Sequence, residues 1–208
     1  MSDARRFAPA TARNREPIGE VLARVAPPRA RVLEIASGTG EHAVFLAERL
    51  SVASWQPTDP DAPSRASIDA WRAAASEAVR DRLRPAEALD VHASPWPPFA
   101  HDVDLVVCIN MVHISPWTAT AALMRGAAET LARGGVLYLY GPYRRGGAHT
   151  SESNAAFDAS LRARDASWGV RDLEAVVSEA ERRGFALHPD EGVVAMPANN
   201  LSVVLVRA

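Results

Sequence analysis

The sequence predicts an α/β protein: a doubly wound, mainly parallel sheet with helices on both faces. Three observations lead there. Apolar runs at 32–35, 103–110 and 136–140 are short and nearly unbroken, as strands buried on both faces must be. Helical patterns separate them, the alternation that calls for parallel strands joined by crossover helices. The first run also feeds directly into Gly38-Thr39-Gly40 and a new helical pattern, a strand–turn–helix junction.

The elements follow in order. A helix is expected over 16–25, with Pro17 in its tolerant first turn. Strand 32–35 leads through the glycine turn into a helix at 41–50. A second strand, 52–58, ends at Asp59-Pro60-Asp61. Ile68, Trp71, Ala75 and Val79 form the apolar stripe of a helix spanning 64–84. A weaker third strand is expected at 84–91, before the central strand at 103–110. Ser115-Pro116 opens the next helix, and Gly134-Gly135 closes it ahead of a fifth strand at 136–140. Residues 141–169 are polar and rich in Arg, Ser and Asn, with a helix at 153–164. A helix at 172–183 precedes two final strands, 185–188 and 201–206, expected as an antiparallel hairpin on the sheet edge.

Composition excludes several chemistries. A chain of 208 residues is expected to form a single domain, 1–208, with one sizeable core. Its net charge is −2 and it shows no basic stripe, so no nucleic-acid partner is expected. Cys108 is the sole cysteine, which rules out an internal disulfide. The histidines show no metal-ligand spacing, so no metal is expected. The first residues lack an apolar signal core and no run approaches a membrane span, giving the expectation of a cytoplasmic protein with no membrane partner. The oligomeric state is left open. All 23 basic residues are arginine. Without lysine, Schiff-base chemistry and a lysine base are unavailable, and arginine can clamp an anion but not take a proton. A general base must come from His, Asp, Glu, Tyr or Cys108.

The candidate site residues lie at the carboxyl ends of the expected strands, where ligands of open α/β sheets sit. A glycine-rich turn lets backbone N–H groups approach a ligand, so Ala36, Ser37, Gly38, Thr39 and Gly40 are candidates for a nucleoside-bearing cofactor, with Glu34 and His42 beside them. Asp59, next to Pro60, can accept hydrogen bonds from ribose hydroxyls, with Asp61 competing for that role. Asp90 and the Val91 backbone could serve an adenine ring. After the central strand come Asn110, Met111 and His113, the last a candidate base or substrate contact. After the fifth come Tyr143, able to orient or deprotonate a substrate, and Arg144, able to bind an anionic one. Trp117, Phe157 and Trp168 could close an aromatic lid over a planar substrate. Asn199-Asn200 reads as a turn tolerant of left-handed geometry or as a pair of amide contacts.

Glu34-Ile35-Ala36-Ser37-Gly38-Thr39-Gly40, followed in order by Asp59, Asp90 and Asn110, resembles the class I S-adenosylmethionine-dependent methyltransferases. Ala36 stands where the usual motif has glycine. The chain is more closely similar to the methyltransferase-like 26 family. That likeness rests on Arg13-Asn14-Arg15-Glu16-Pro17-Ile18, on Leu33 through His42, on Trp55-Gln56-Pro57-Thr58-Asp59-Pro60-Asp61, and on Cys108-Ile109-Asn110-Met111-Val112-His113 with Ile114-Ser115-Pro116-Trp117. Tyr140-Gly141-Pro142-Tyr143, Ser153-Asn154-Ala155-Ala156-Phe157-Asp158 and Met196-Pro197-Ala198-Asn199-Asn200 extend it along nearly the whole chain. The resemblance implies a Rossmann-like sheet of seven strands, one of them antiparallel. It also implies S-adenosyl-L-methionine as cofactor and S-adenosyl-L-homocysteine as product.

These readings give an expectation of methyl transfer to N or O of a small molecule, with a planar heterocycle favoured. His113 or Tyr143 would serve as base. Arg13 would meet the cofactor's carboxylate or the substrate. Asn14, Trp117, Tyr143, Arg144, Asn154, Asn199 and Asn200 would line the substrate side. Segment 1–30 would cap the site, and 141–170 would form a lid. The competing readings are an RNA or protein methyltransferase, a non-catalytic cofactor-binding protein and an NAD-dependent oxidoreductase. Asn110-Met111-Val112-His113 lacks the Asn-Pro-Pro-aromatic pattern of adenine N-methyltransferases.

Overall fold

A computed structural model describes residues 3–208. It contains a mixed sheet flanked by helices on both faces. The elements that form its centre are α1 (Thr11–Val25), β1 (Arg31–Ile35), α2 (Glu41–Arg49), β2 (Ser54–Pro57), α3 (Ala62–Ala74), α4 (Glu77–Arg80), β3 (Val103–Ile109), α5 (Trp117–Thr130) and β4 (Leu131–Arg145). The rest are β5 (Ala148–His149), α6 (Glu152–Arg164), β6 (Arg171–Asp172), α7 (Leu173–Arg182), β7 (Phe185–Leu187), β8 (Val193–Met196) and β9 (Asn200–Arg207). The sheet runs β2-β1-β3-β4-β9-β7.

Strands β2, β1, β3 and β4 are mutually parallel, and β9 is antiparallel to both β4 and β7. Alternation along β3 explains the two-sided core. Val106 and Cys108 pack on the α5–α7 side, while Leu105, Val107 and Ile109 pack on the α1–α2 side. A strand buried on both faces has no polar side to spare, hence its unbroken apolar sequence.

The sheet has nine strands rather than seven. Strand β4 continues past Tyr140 to Arg145, and its tail takes β5 antiparallel and β6 parallel. Strand β8 adds an antiparallel hairpin to β9. The third strand expected at 84–91 is reduced to isolated bridges, Trp55 with Leu83 and Thr58 with Glu87. Pro85 has no N–H to extend that ladder.

Other boundaries also move. Helix α1 starts five residues earlier than expected, at Thr11, so Pro17 lies inside it and the Arg13 carbonyl loses its intrahelical donor. The long helix at 64–84 breaks where Ala75 and Ser76 turn extended, and α4 then brings Val79 into the core beneath β1. Ser115 does not cap α5; its hydroxyl donates to the Met111 carbonyl at 2.9 Å. Helix α5 ends at Thr130, before the glycine pair. Leu131 already pairs with Val103, so Gly134-Gly135 occupies an irregularity inside β4.

Beneath the sheet's leading edge lies a buried acid. Glu34 is 2 % exposed and accepts the Trp55 indole N–H at 2.9 Å. Burial pushes its carboxyl up to about 7, against the pull of the Trp55 hydrogen bond. His42 and His113 are also buried, and burial holds both imidazoles down at about 4.

The signs of these shifts oppose each other. The raised Glu34 carboxyl gives stability that is complete below pH 4.5 and is lost as pH rises through about 7. The depressed histidines give stability present above pH 6.5 and lost as pH falls through about 4. Because two histidines titrate against one acid, wild-type stability should rise from pH 4 to about pH 6.5 and then level off. Glu34→Gln removes the opposing acid, so its stability relative to wild type should grow between pH 4.5 and pH 8, by on the order of 3 kcal/mol at most. A difference between variant and wild type that stays constant across that range would contradict the buried-acid account.

Candidate functional site

Strands β1 and β2 progress one way across the sheet and β3 the other. This leaves a crevice at the carboxyl ends of β1 and β3, the switch point where α/β sheets bind ligands. The turn after β1 opens it. Ala36, Gly38 and Gly40 have φ of 54°, 60° and 90°. Glycine takes such angles freely, whereas Ala36 is a strained exception. Gly40 is needed for space too: a Cβ there would lie 2.7 Å from the Ile68 Cα.

The end of β2 locks this turn in place. Asp59 accepts the Gly38 N–H at 3.0 Å with one oxygen and the Asp61 N–H at 2.9 Å with the other. The Ser37 N–H donates to the Thr58 carbonyl, and the Ser67 hydroxyl donates to that of Thr39. Burial raises the Asp59 carboxyl above the usual range, opposed by the hydrogen bonds from Asp61 and Gly38. Asp61 is taken up as the cap of α3, accepting from the Ser64 N–H at 3.0 Å.

The crevice holds a cavity of about 410 Å³. Ile35, Ala36 and Gly38 form one wall, Asp59 and Pro60 the rim, and Leu89, Asp90 and Val91 the opposite wall, with Met111 and Ile114 behind. Asp90 takes the His92 backbone N–H and ring nitrogen at 2.9 Å each, which holds its carboxyl below the usual range. Beyond Ile114 a second cavity of about 650 Å³ continues toward α1 and α6. Arg13, Asn14, Asn110, His113, Tyr140, Asn154, Phe157, Arg164 and Asn200 reach it. Its floor is a polar chain. His42 Nε2 donates to Asn14 Oδ1 at 2.8 Å, and Asn14 in turn bonds Tyr140. His113 meets Phe157 edge to face, 5.6 Å between centroids, and a Cβ on Gly141 would lie 3.0 Å from His113 Nδ1.

Several expected residues sit elsewhere. The Tyr143 side chain is 1 % exposed within the apolar core, its hydroxyl without a partner, and burial pushes it well above the usual phenol range; it reaches neither cavity. Glu34 lies behind the turn, held by Trp55, rather than on a wall. Ser37, Thr39 and Gly40 shape the turn from outside: Ser37 Oγ accepts from the Thr58 N–H, and the Thr39 hydroxyl donates to Glu41. Arg144 lies on the tail of β4, and Trp117 is 37 % exposed at the start of α5; neither lines either cavity. Asn199, at φ 57°, forms a left-handed turn whose carbonyl takes the Asn154 amide at 2.9 Å.

Sequence reasoning missed Tyr140, Arg164 and Leu89. Tyr140 and Leu89 read as plain strand residues, and Arg164 as one of many helix arginines. Among the described residues no cluster of three His, Cys, Asp or Glu side chains is arranged around a metal.

The turn geometry makes a paired prediction. Gly40→Ala should lose at least about 2 kcal/mol of stability, because backbone must move to admit the Cβ. Ala36→Gly should be neutral or gain up to about 1 kcal/mol from relieved strain. Chemical denaturation measures both, and an unaffected Gly40→Ala would contradict the geometry.

Several solved methyltransferases share this fold at low sequence identity. An O-methyltransferase family 2 protein from Planctomyces limnophilus, complexed with apigenin, superposes with a TM-score of 0.72 at 19% identity, over 91% of this chain and 56% of that one. Human N-acetylserotonin methyltransferase in complex with S-adenosylmethionine gives 0.71 at 11% identity, over 91% and 51%. An O-methyltransferase from neocarzinostatin biosynthesis, with S-adenosylmethionine and 2-hydroxy-5-methyl naphthoic acid, gives 0.70 at 14%, over 94% and 53%. The chain thus spans about half the length of these proteins. No helix among the described residues is long and apolar enough to cross a membrane. At the level of sequence, a family model matches residues 5–207, and the chain belongs to that family, described as protein of unknown function (DUF938).

Proposed function

We propose that this chain is an S-adenosylmethionine-dependent methyltransferase acting on a small-molecule acceptor, as the sequence likeness to the methyltransferase-like 26 family suggests. The observation that carries the reading is the pair of adjoining cavities at the switch point. One would take the cofactor's nucleoside, and the other opens beyond it. Their shared Ile114 marks where the reacting centre would lie. The methyltransferases of this fold, three of them holding cofactor or aromatic ligands, support the reading.

The residues present fit the cofactor. At about 410 Å³ the first cavity falls within the usual range of about 300–1,000 Å³ for small-molecule sites. A Cβ on Gly38 would meet nothing nearer than the Ala36 carbonyl at 4.0 Å, so the glycine leaves open room for a ligand. Asp59 and Asp90 are acceptors facing a space with no arginine in its walls. Each Asp59 oxygen has a second lone pair beyond its protein bond, and Asp90 takes both of its protein bonds on Oδ1, leaving Oδ2 free. Asp59 would take ribose hydroxyls, Asp90 an adenine amino group, and Ile35, Leu89 and Val91 would sandwich the ring. Arg13 would hold the amino-acid carboxylate, with Asn110 at the junction. Residues 3–30 and 141–170 would cover the site; residues 1 and 2 lie outside the described residues.

The bound cofactor supplies an already activated methyl group. The protein's task is then alignment and exclusion of water. Asn14 and Tyr140 orient the acceptor. His113, neutral at pH 7 because burial holds it near 4, accepts a hydrogen bond from the acceptor's O–H or N–H and fixes its lone pair. An imidazole of that acidity positions the nucleophile more than it deprotonates it. With Tyr143 sealed in the core, no second base is assigned.

Calorimetry tests the reading. S-adenosylhomocysteine should bind in the micromolar range, and NAD should not. Asp59→Asn, which keeps an oxygen for Gly38 but loses the charge, should weaken S-adenosylhomocysteine at least about tenfold, or about 1.4 kcal/mol. Binding of NAD without S-adenosylhomocysteine would overturn the proposal.

A further inference from the structure

The two cavities differ in charge. The first has Asp59 and Asp90 in its walls and no arginine; the second has Arg13 and Arg164 and no carboxylate. Arg13 has an assigned partner in the cofactor's carboxylate. Arg164 has none. Among the described residues it makes no ion pair, and its guanidinium lies over the Trp168 ring, 5.2 Å from the centroid. The acids beside it are engaged elsewhere. Asp165 accepts from the Ser167 N–H and hydroxyl at 2.8 and 2.6 Å. Asp158 accepts from Arg162 and the Val170 N–H at 3.0 and 2.6 Å.

Helix α6 sets the spacing. Asn154, Phe157 and Arg164 fall on one face, and all three line the second cavity. Phe157 and Arg164 are two turns apart, about 10 Å along the axis at about 1.5 Å per residue. Arg164 is exposed, with its guanidinium over Trp168 at the far end of this wall and Phe157 at the near end. Phe157, 40 % exposed, presents an aromatic wall braced by His113.

We infer that the acceptor is an aromatic carboxylate of one or two rings, its ring against Phe157 and its acid group paired with Arg164. This rests on the methyltransferase reading for the word acceptor. The charge contrast between the cavities holds without it. A guanidinium prefers a planar carboxylate because two parallel N–H groups match its two oxygens. With the sulfonium of the bound cofactor nearby, this half of the site carries positive charge that a neutral or cationic acceptor would not use.

The test titrates protein saturated with S-adenosylhomocysteine with 2-naphthoate and 2-naphthamide, and with benzoate and benzamide. At least one acid should bind tenfold or more tightly than its amide. Arg164→Gln should remove that preference and leave the amide affinity unchanged, a result that a merely structural arginine would not give. Equal binding of acid and amide, a preference that survives Arg164→Gln, or no acid binding at millimolar concentration would overturn the inference. The two readings fail separately. If S-adenosylhomocysteine does not bind, the methyltransferase reading falls, while an Arg164-dependent preference for the acid in the free protein would still support the anion site.

Discussion

Asp59 ties the end of β2 to the turn after β1, one oxygen on the Gly38 N–H and the other on that of Asp61. Around it Ser37, Thr58, Thr39 and Ser67 add backbone and hydroxyl bonds across the same two segments. A turn with three left-handed residues among five, one of them alanine, would not hold that shape alone. Its strain is offset by this cross-link and by α2 and α3 packing closely enough to exclude a Cβ at Gly40. The crevice at the switch point exists because this turn is held open, and both cavities border that crevice.

The same cross-link explains a division of labour among the polar residues. Those with side chains inside the protein, Glu34, His42 and Ser37, support the turn or the floor beneath it. Those on the rims, Asp59, Asp90, Arg13 and Arg164, keep unsatisfied capacity toward the cavities. Burial moves the proton equilibria of Glu34 and His42, which ties the stability of the fold to pH. The second group sets the charge contrast between the cavities.

Much of this was legible in the chain. The central strand at 103–110 could be read because burial on both faces leaves no polar positions in it. The strand–turn–helix at 32–41 could be read because only glycine-rich sequence permits such a turn. The weak strand at 84–91 misled because propensity does not report a missing N–H at Pro85 within a partner's ladder. The break at Ala75 and Ser76 misled because the apolar stripe continues across it, although the chain bends. Tyr143 was misplaced for a related reason. A residue just past a strand reads as loop, yet β4 runs on to Arg145 and turns that side chain into the core. Arg164 carried no local signal, since its importance comes from lacking an ion pair while sharing a cavity with Phe157, which only the fold reveals.

The most direct test of this account is a crystal structure of the protein grown with S-adenosylhomocysteine. The account predicts the adenine between Ile35 and Leu89–Val91, ribose oxygens on Asp59, and the amino-acid end past Ile114 toward Arg13. Ligand density at any other place on the sheet, or none in crystals grown at saturating ligand, would contradict it.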